Sequence, residues 1–189
     1  RETFVTATDA ELYGLRHEDP DAYLERLVRE EELETESVSS FVDEFSKPEK
    51  VRIIESNWNS LENEIKNGDP FFVWNNKENK IQMDMWALSK FVYNTVYANE
   101  GDKNFKWSRW HLVRGLISCN YWWASEKDFL LFGGVTWSPN KIERILNDLT
   151  RAVRSLDNIE TKEAKIRVER ESAKIRLAIW EKHWKTHWK

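Results

Sequence analysis

A run of apolar residues at helical spacing constrains the fold of this chain more than any other feature. The run follows Ser138-Pro139, in which a serine can cap a helix and a proline can occupy its first turn. Its apolar members recur every three or four residues and lie on one face of a helix: Ile142, Ile145, Leu146, Leu149, Val153 and Leu156. Because a helix with a continuous apolar face needs other elements to cover it, the pattern predicts a core of several helices.

Three other segments have the same periodicity. The helix after Asn79 should end near 99–101, and its predicted core face is Ile81, Met85, Leu88, Val92 and Val96. A helix over about 107–125 would have Trp110, Val113, Ile117 and Tyr121 facing inward. The last helix, about 160–187, carries one stripe of Ile166, Ala173, Leu177, Trp180, Trp184 and Trp188. Since only 6 Gly and 4 Pro interrupt the 189 residues, we expect a mainly α chain whose residues 79–189 form a helical bundle.

The first 50 residues follow a different pattern. Residues 3–8 are β-branched and apolar, which predicts a strand that leads into a loop at 9–14. Two helices should follow, one after Asp19-Pro20 and one from Ser37 that is stopped by Lys47-Pro48. Residues 51–78 are predicted to be an irregular connecting segment. The expected domains are therefore 1–50, 51–78 and 79–189.

The predicted strand at 3–8 has no comparable strand near it in the sequence. Its backbone groups need partners, either residues 71–74 or 130–136 in a minor ribbon, or strands outside this chain. A strand, a carboxylate at its C-terminal end and a following helix make the repeating unit of a β/α barrel. We therefore expect residues 1–50 to be the last strand-loop-helix unit of a (β/α) barrel whose remainder is not in this chain.

Composition narrows the compartment and the partners. The single cysteine, Cys119, cannot form an intrachain disulfide, which favours a reducing compartment and hence the cytoplasm. We expect no membrane partner, because no apolar run of about 18 residues is present. Residues 1–46 carry 14 Asp and Glu against 4 Lys and Arg, and acids are interleaved with bases in the rest, so we expect no nucleic-acid partner. Cys119 and His111 are expected in the core, and His183 and His187 in packing or at the surface rather than on a metal.

Asp9 and Glu11 are the sharpest candidates for chemistry. In an extended segment, carboxylates at i and i+2 lie on one side, about 6.6 Å apart at the backbone. Crowding of the two charges would raise the pKa of one of them, which is the property that a proton donor needs. Gly14 allows a close approach of a ligand, and His17 can donate hydrogen bonds. The alternative is a solvated loop at the end of a strand.

The chain contains 11 tryptophans, and they allow two interpretations. Aromatic faces stack on sugar rings and indole N–H groups donate hydrogen bonds to hydroxyls, whereas tryptophans at helical spacing more often pack in a core. Trp122 and Trp123 are adjacent and cannot both face one way on a helix, so at least one is expected to point away from the main core. The aromatic series considered is Trp58, Phe71, Phe72, Trp74, Trp86, Trp107, Trp110, Tyr121, Trp122, Trp123 and Trp137.

The segment from Val5 to His17 resembles the fourth conserved motif of glycoside hydrolase family 57. That motif is a strand that ends in Asp-x-Glu, followed by an aromatic residue, Gly and His, and its Asp corresponds to Asp9. The stretch Arg114-Gly-Leu-Ile-Ser-Cys-Asn-Tyr-Trp-Trp123 is similar to the fifth motif, which comes from the helical domain and helps to form the sugar cleft. Residues 56–58, 68–74, 79 and 86–88 are similar to the stretch that joins the barrel to the helical domain.

The resemblance implies a retaining enzyme that hydrolyses or transfers α-glucosyl units of an α-glucan or maltooligosaccharide. Asp9 would be its general acid/base, protonating the leaving glycosidic oxygen and then deprotonating the incoming water or sugar. Asn120 stands where the family usually has Asp, so its contact with the substrate would be a neutral hydrogen bond. The residues that would bind or orient the sugar are Glu11, His17, Asn120, Trp122 and Trp123.

The nucleophilic Glu of the family lies upstream of the residues present here. The resemblance therefore implies that an upstream barrel portion or a second chain supplies it, and that these 189 residues alone are inactive. It implies neither a metal nor an organic cofactor. The alternative from another class is a non-catalytic helical interaction module, in which Asp9 and Glu11 are surface carboxylates. Exposed apolar residues of the last helix would then mark a partner site, with Trp180, Trp184 and Trp188.

Overall fold

A computed structural model of the protein describes residues 22–30, 37–44, 50–127 and 136–187. The chain divides into two compact units, Arg1–Ile53 and Ile54–Lys189. Within the described part, the regular elements are helices, and β pairing is limited to an isolated antiparallel bridge between Ala124 and Trp137. The mainly α class is thus confirmed, while the strand predicted at 3–8 lies outside the described residues.

Two short helices are described in the first unit, α1 (Tyr23–Arg29) and α2 (Val38–Asp43). Ser37 caps α2, because its Oγ accepts a hydrogen bond from the backbone N–H of Ser40 at 3.1 Å. The predicted helix start at Ser37 is confirmed. The signals at Asp19-Pro20 and Lys47-Pro48 lie outside the described residues.

The second unit is the helical bundle. Its elements are α3 (Glu62–Lys66), α4 (Lys80–Tyr97), α5 (Phe105–Gly115), α6 (Cys119–Trp122), α7 (Pro139–Arg154), a 3₁₀ turn (Ile159–Thr161), α8 (Lys162–Lys182) and a π-helical turn (His183–His187). Helix α7 packs against α4, α5 and α8, and α4 also packs against α5 and α8. Helices α4 and α7 therefore form the centre of the bundle, with α5 and α8 on its flanks.

The apolar faces predicted for α4 and α7 form the core. Every member of both predicted stripes is buried, from Ile81 to Val96 on α4 and from Ile142 to Leu156 on and just after α7. Asn79 occupies the N-cap of α4, where its side chain accepts from the N–H of Gln82 at 3.2 Å. Pro139 begins α7 in its first turn, as predicted.

The single helix predicted over 107–125 is wrong in extent and in orientation. Helix α5 ends at Gly115 and α6 begins at Cys119. Of the four residues predicted to face inward, Tyr121 is buried as predicted, but Trp110, Val113 and Ile117 are 48%, 52% and 52% exposed. The face of α5 that carries Ser108 and Gly115 is buried instead. Gly115 lies so close to α7 that a Cβ there would be 2.7 Å from Leu149 Cδ2. Tryptophans on that face would hold the two helices apart.

The stripe predicted for the last helix also faces outward. Ile166, Leu177 and Trp184 are 44%, 63% and 56% exposed, and Ala173 is exposed as well. A second stripe is buried in its place: Val168, Ser172, Ile175 and Ile179. Trp180 lies at the border, half-buried, and its Nε1 donates to Glu143 Oε1 at 2.7 Å. Trp188 lies outside the described residues.

The lone cysteine and the histidines occupy different environments. Cys119 is exposed, which corrects its predicted place in the core, because α6 is a single turn whose inner side is taken by Asn120 and Tyr121. His111 is half-buried beside Asp148, and His187 is packed against Trp137. In the described ranges no helix is both long enough and apolar enough to span a bilayer.

Candidate functional site

Four indole rings from three segments meet at one side of the second unit. We call Trp58, Trp74, Trp122 and Trp123 the tryptophan cluster. The ring centroid of Trp122 lies 4.9 Å from that of Trp58, 6.1 Å from that of Trp74 and 6.0 Å from that of Trp123. Trp58 stands edge-on to Trp122 at 70°, while Trp122 and Trp123 are nearly parallel at 12°. The cluster therefore presents ring faces in two directions.

The side chain of Gln82 connects the two segments that carry Trp74 and Trp122. Its side chain is fully buried, and Nε2 donates to the carbonyls of Val73 at 2.7 Å and Tyr121 at 2.9 Å. These two residues directly precede Trp74 and Trp122, so one amide fixes the backbone beneath both rings. Its Oε1 accepts from the N–H of Asn76 at 3.0 Å, which anchors the turn that leads into α4.

A stacked pair supports the cluster from α4. Trp86 lies on Tyr121 with ring centroids 3.8 Å apart and planes 5° from parallel. Its Nε1 donates to the carbonyl of Trp74 at 2.9 Å. The Tyr121 hydroxyl in turn donates to Ser89 Oγ at 2.7 Å inside the core, and burial raises the pKa of Tyr121, so the hydroxyl is protonated. The base of the cluster is thus rigid.

Two polar atoms of the cluster lack hydrogen-bond acceptors among the described residues. The Nε1 atoms of Trp74 and Trp122 are buried, and no acceptor is within bonding distance of either. A buried donor without an acceptor costs about 1–3 kcal/mol. These two N–H groups are enclosed, so the surface of the cluster that a ligand can reach is its exposed and half-buried ring faces, which suit a molecule with C–H surfaces.

Trp123 extends the cluster toward α7. The ring is half-buried, and the Nζ of Lys141 lies 5.6 Å from its centroid. A cation over an indole face is a favourable electrostatic contact. The expectation that at least one of Trp122 and Trp123 points away from the main core is confirmed, because Trp123 packs against the core whereas the half-buried Trp122 lies against Trp58 and Trp74.

Asn120, the third predicted site residue in this segment, faces α5. Its Nδ2 donates to the carbonyl of Gly115 at 2.9 Å and to that of Arg114 at 3.3 Å. It therefore caps the C-terminal end of α5, a role that the sequence did not suggest. Its contact with a sugar stays a prediction. Asp9, Glu11 and His17 lie outside the described residues, and their roles stay predictions too.

Sequence reasoning considered Trp58 and Trp74 only as members of the aromatic series and missed Gln82. One signal could have found Gln82, since it is a polar residue between Ile81 and Met85 on the buried face of α4. A buried amide must have hydrogen-bond partners, so this position marks backbone groups that need fixing.

A polar cluster, separate from the tryptophan cluster, lies at the C-terminal end of α8. Glu126 adopts a left-handed backbone with φ 63°, and its carboxylate lies 2.5 Å from Lys182 Nζ and 3.6 Å from His187 Nε2. The Nε1 of Trp137 donates to His183 Nδ1 at 3.3 Å. These contacts tie the π-helical turn to the Ala124–Trp137 bridge. Among the described residues, no group of His, Cys, Asp or Glu has the arrangement of a metal site.

Comparison with known proteins gave no match. No protein-family model matches the chain, and neither the curated proteins nor the solved structures contain a match to it.

Proposed function

We propose that the chain supplies the acid/base carboxylate and one wall of the sugar cleft of a retaining enzyme that acts on α-glucans. The enzyme hydrolyses or transfers α-glucosyl units, with Asp9 as general acid/base and Glu11 and His17 beside it. The nucleophile comes from an upstream barrel portion or from a second chain. The observation that carries the proposal is the set of indole rings that meet at one side of the second unit, with Trp58 72% exposed and the half-buried rings of Trp122 and Trp123 nearly parallel beside it.

The cluster is chemically suited to an oligosaccharide. A pyranose ring has an apolar C–H face that stacks on an indole. The parallel arrangement of Trp122 and Trp123 at 12° offers such a wall, and it lies in the stretch that resembles the cleft-forming motif. The cluster supplies surface rather than proton transfer, which is the part assigned to Asp9.

Binding of maltoheptaose to the protein tests the proposal, measured by tryptophan fluorescence. Trp122→Phe reduces the aromatic surface that would stack on the sugar, and we expect it to weaken binding roughly two- to tenfold. The matched control is Trp184→Phe, because Trp184 is 56% exposed in the π-helical turn after α8 and lies outside the cluster. Cellohexaose, with β linkages, should bind more weakly than maltoheptaose. Equal affinity of wild type and Trp122→Phe, or no binding of maltoheptaose, contradicts the proposal.

Asp9→Asn separates the catalytic part of the proposal from the binding part. In the protein together with the barrel portion, it should reduce turnover of maltooligosaccharides by orders of magnitude and leave their binding largely intact, because an amide cannot transfer the proton. Wild-type turnover in this variant would exclude Asp9 as the acid/base.

A non-catalytic interaction module is the second candidate. The observation that favours it is the outward apolar stripe of α8 and the π-helical turn that follows it, in which Ile166, Leu177 and Trp184 are exposed. This function predicts that maltoheptaose does not bind and that Asp9→Asn changes nothing. The two experiments above therefore distinguish the candidates.

A further inference from the structure

Trp58 is the most exposed ring of the tryptophan cluster, at 72%, yet it stands in a fixed position against Trp122. A tight turn supports it. Ser60 Oγ donates to the carbonyl of Pro70 at 2.6 Å, the Nδ2 of Asn57 donates to the same oxygen, and the N–H of Asn57 donates to Ser60 Oγ at 2.9 Å. The turn is thereby fastened to the segment that leads to Trp74.

A nearly buried ion pair joins the same turn to the segment that carries Trp122. The Nζ of Lys127 lies 2.7 Å from Glu64 Oε1, and these side chains are only 10% and 12% exposed. The ammonium also donates to the carbonyl and to the Oδ1 of Asn59, both at 3.2 Å. Its three bonds therefore end on the residue next to Trp58 and on α3.

The charge on Glu64 is secured by its neighbours. Burial raises the pKa of Glu64. The hydrogen bond from the Leu61 N–H, 2.9 Å from Oε2, and the Lys127 ammonium together lower it by more, so the net shift of the pKa is downward. The carboxylate is ionised at neutral pH and the pair is a true salt bridge.

Such a pair contributes little to stability when compared with apolar residues of the same volume, because both charges lose hydration. Its effect is geometric. It fixes Asn59, and with it Trp58, relative to the chain that follows Trp122 and Trp123. Without the ion pair, the turn would keep its hydrogen bonds to Pro70 but lose this link to the chain that follows Trp122, and the exposed ring would be freer to leave its position 4.9 Å from Trp122.

We propose that Trp58 is a ligand-contacting residue of the tryptophan cluster and that Lys127 is its positioning residue. A pyranose unit of a neutral oligosaccharide stacks on the exposed face of Trp58, beside the half-buried ring of Trp122. This inference rests on the proposed function and adds two residues to its site: Trp58, which contacts the sugar, and Lys127, which acts by holding Trp58 in position.

Lys127→Met tests the positioning, because it removes the charge and keeps most of the stem. We expect loss of the exciton signal that the Trp58–Trp122 pair gives in circular dichroism, and binding of maltoheptaose weakened about tenfold, to the level of Trp58→Ala. Adding Lys127→Met to Trp58→Ala should cause no further loss, and Lys127→Arg should restore part of the signal. Lys103→Met is the matched control, since it breaks an exposed ion pair with Asp157 of the same length, 2.7 Å.

Glu64→Gln combined with Lys127→Met covers the case in which the single variant fails to fold. It leaves no buried charge without a partner and should reproduce the loss of signal and of affinity. An unchanged exciton signal in both variants, or additive losses with Trp58→Ala, overturns the positioning role. Wild-type affinity in Trp58→Ala overturns the ligand contact. If the wild-type protein itself does not bind maltoheptaose, the proposed function fails; if it binds and these variants bind equally well, only this inference fails.

Discussion

Asn120 has a structural role in this fold, although the sequence motif that its segment resembles predicts contact with a ligand. Its amide donates to the carbonyls of Gly115 and Arg114, at the end of α5 where helical carbonyls have no partners of their own. The family that this segment resembles usually has Asp at the position. An ionised Asp could only accept hydrogen bonds, so the fold described here depends on the amide.

Asn120→Asp should therefore destabilise the protein by about 1–3 kcal/mol at pH 7, because a carboxylate would face two acceptors at the negative end of a helix. Urea unfolding measures the change. Asn147→Asp is the matched control: Asn147 is exposed, and its Oδ1 accepts from Arg176 at 3.4 Å, so the carboxylate keeps that role. Equal stability of the two variants would show that the cap is unimportant.

At the scale of elements, Gln82 links α4 to both ring-bearing segments beside it. Gln82→Met keeps the volume and removes the partners of the Val73 carbonyl and the Asn76 N–H, while the Tyr121 carbonyl keeps the hydrogen bond from the Ala124 N–H at 3.1 Å. We expect a loss of about 2 kcal/mol or more in the free energy of unfolding, since each unpaired buried group costs about 1–3 kcal/mol. The tryptophan fluorescence should shift at the same time.

Lys90→Met provides the comparison, because Lys90 is exposed on the same helix and the change in residue type is similar. If Gln82→Met unfolds at the same urea concentration as Lys90→Met, the three hydrogen bonds do not support the cluster.

The elements differ in how far the sequence alone could define them. Helices α4 and α7 each have one apolar face, so periodicity identified the buried residues correctly. Helices α5 and α8 have apolar residues on two faces, and there the large residues were assigned to the core. Packing chose the faces with Ser108 and Gly115 on α5 and with Ser172 on α8, because small residues let helices approach closely.

The candidate site was predictable only in part for a similar reason. Trp122 and Trp123 could be named from the segment in which they lie. Their contacts with Trp58 and Trp74 join parts of the chain that are distant in sequence, and no spacing rule reports such contacts. Gln82, a polar residue on the buried face of α4, was the one local sign in the sequence that backbone groups meet there.

At the scale of the whole molecule, stability should depend on pH through His187. Burial lowers its pKa below the ordinary value of 6.5; Glu126 opposes this shift, and Lys182 and His183 add to it. The unfolded chain therefore binds a proton near pH 6.5 that the folded protein does not yet bind. Through His187, stability does not change above that pH and falls as the pH drops below it.

The measurement is the thermal unfolding midpoint at pH 7.5 and 5.5, for the wild type and for His187→Gln. The wild-type midpoint should fall more between the two pH values, because only the wild type carries the shifted histidine. The carboxylates that do not contact His187 contribute equally to both proteins, whereas Glu126 lies 3.6 Å from it. An identical fall in the two would remove His187 as the cause.

The hydrogen bonds of Gln82 also bear on how the molecule would respond to a ligand. One amide ties the backbone beneath Trp74 and Trp122 to a helix that continues to Tyr97. A ligand that stiffens the cluster thus stiffens the first turns of α4, and the opening fluctuations of that helix become rarer. Amide hydrogen exchange in α4 should slow on binding, well away from any atom that the ligand touches, whereas α1 and α2 have no such link through Gln82.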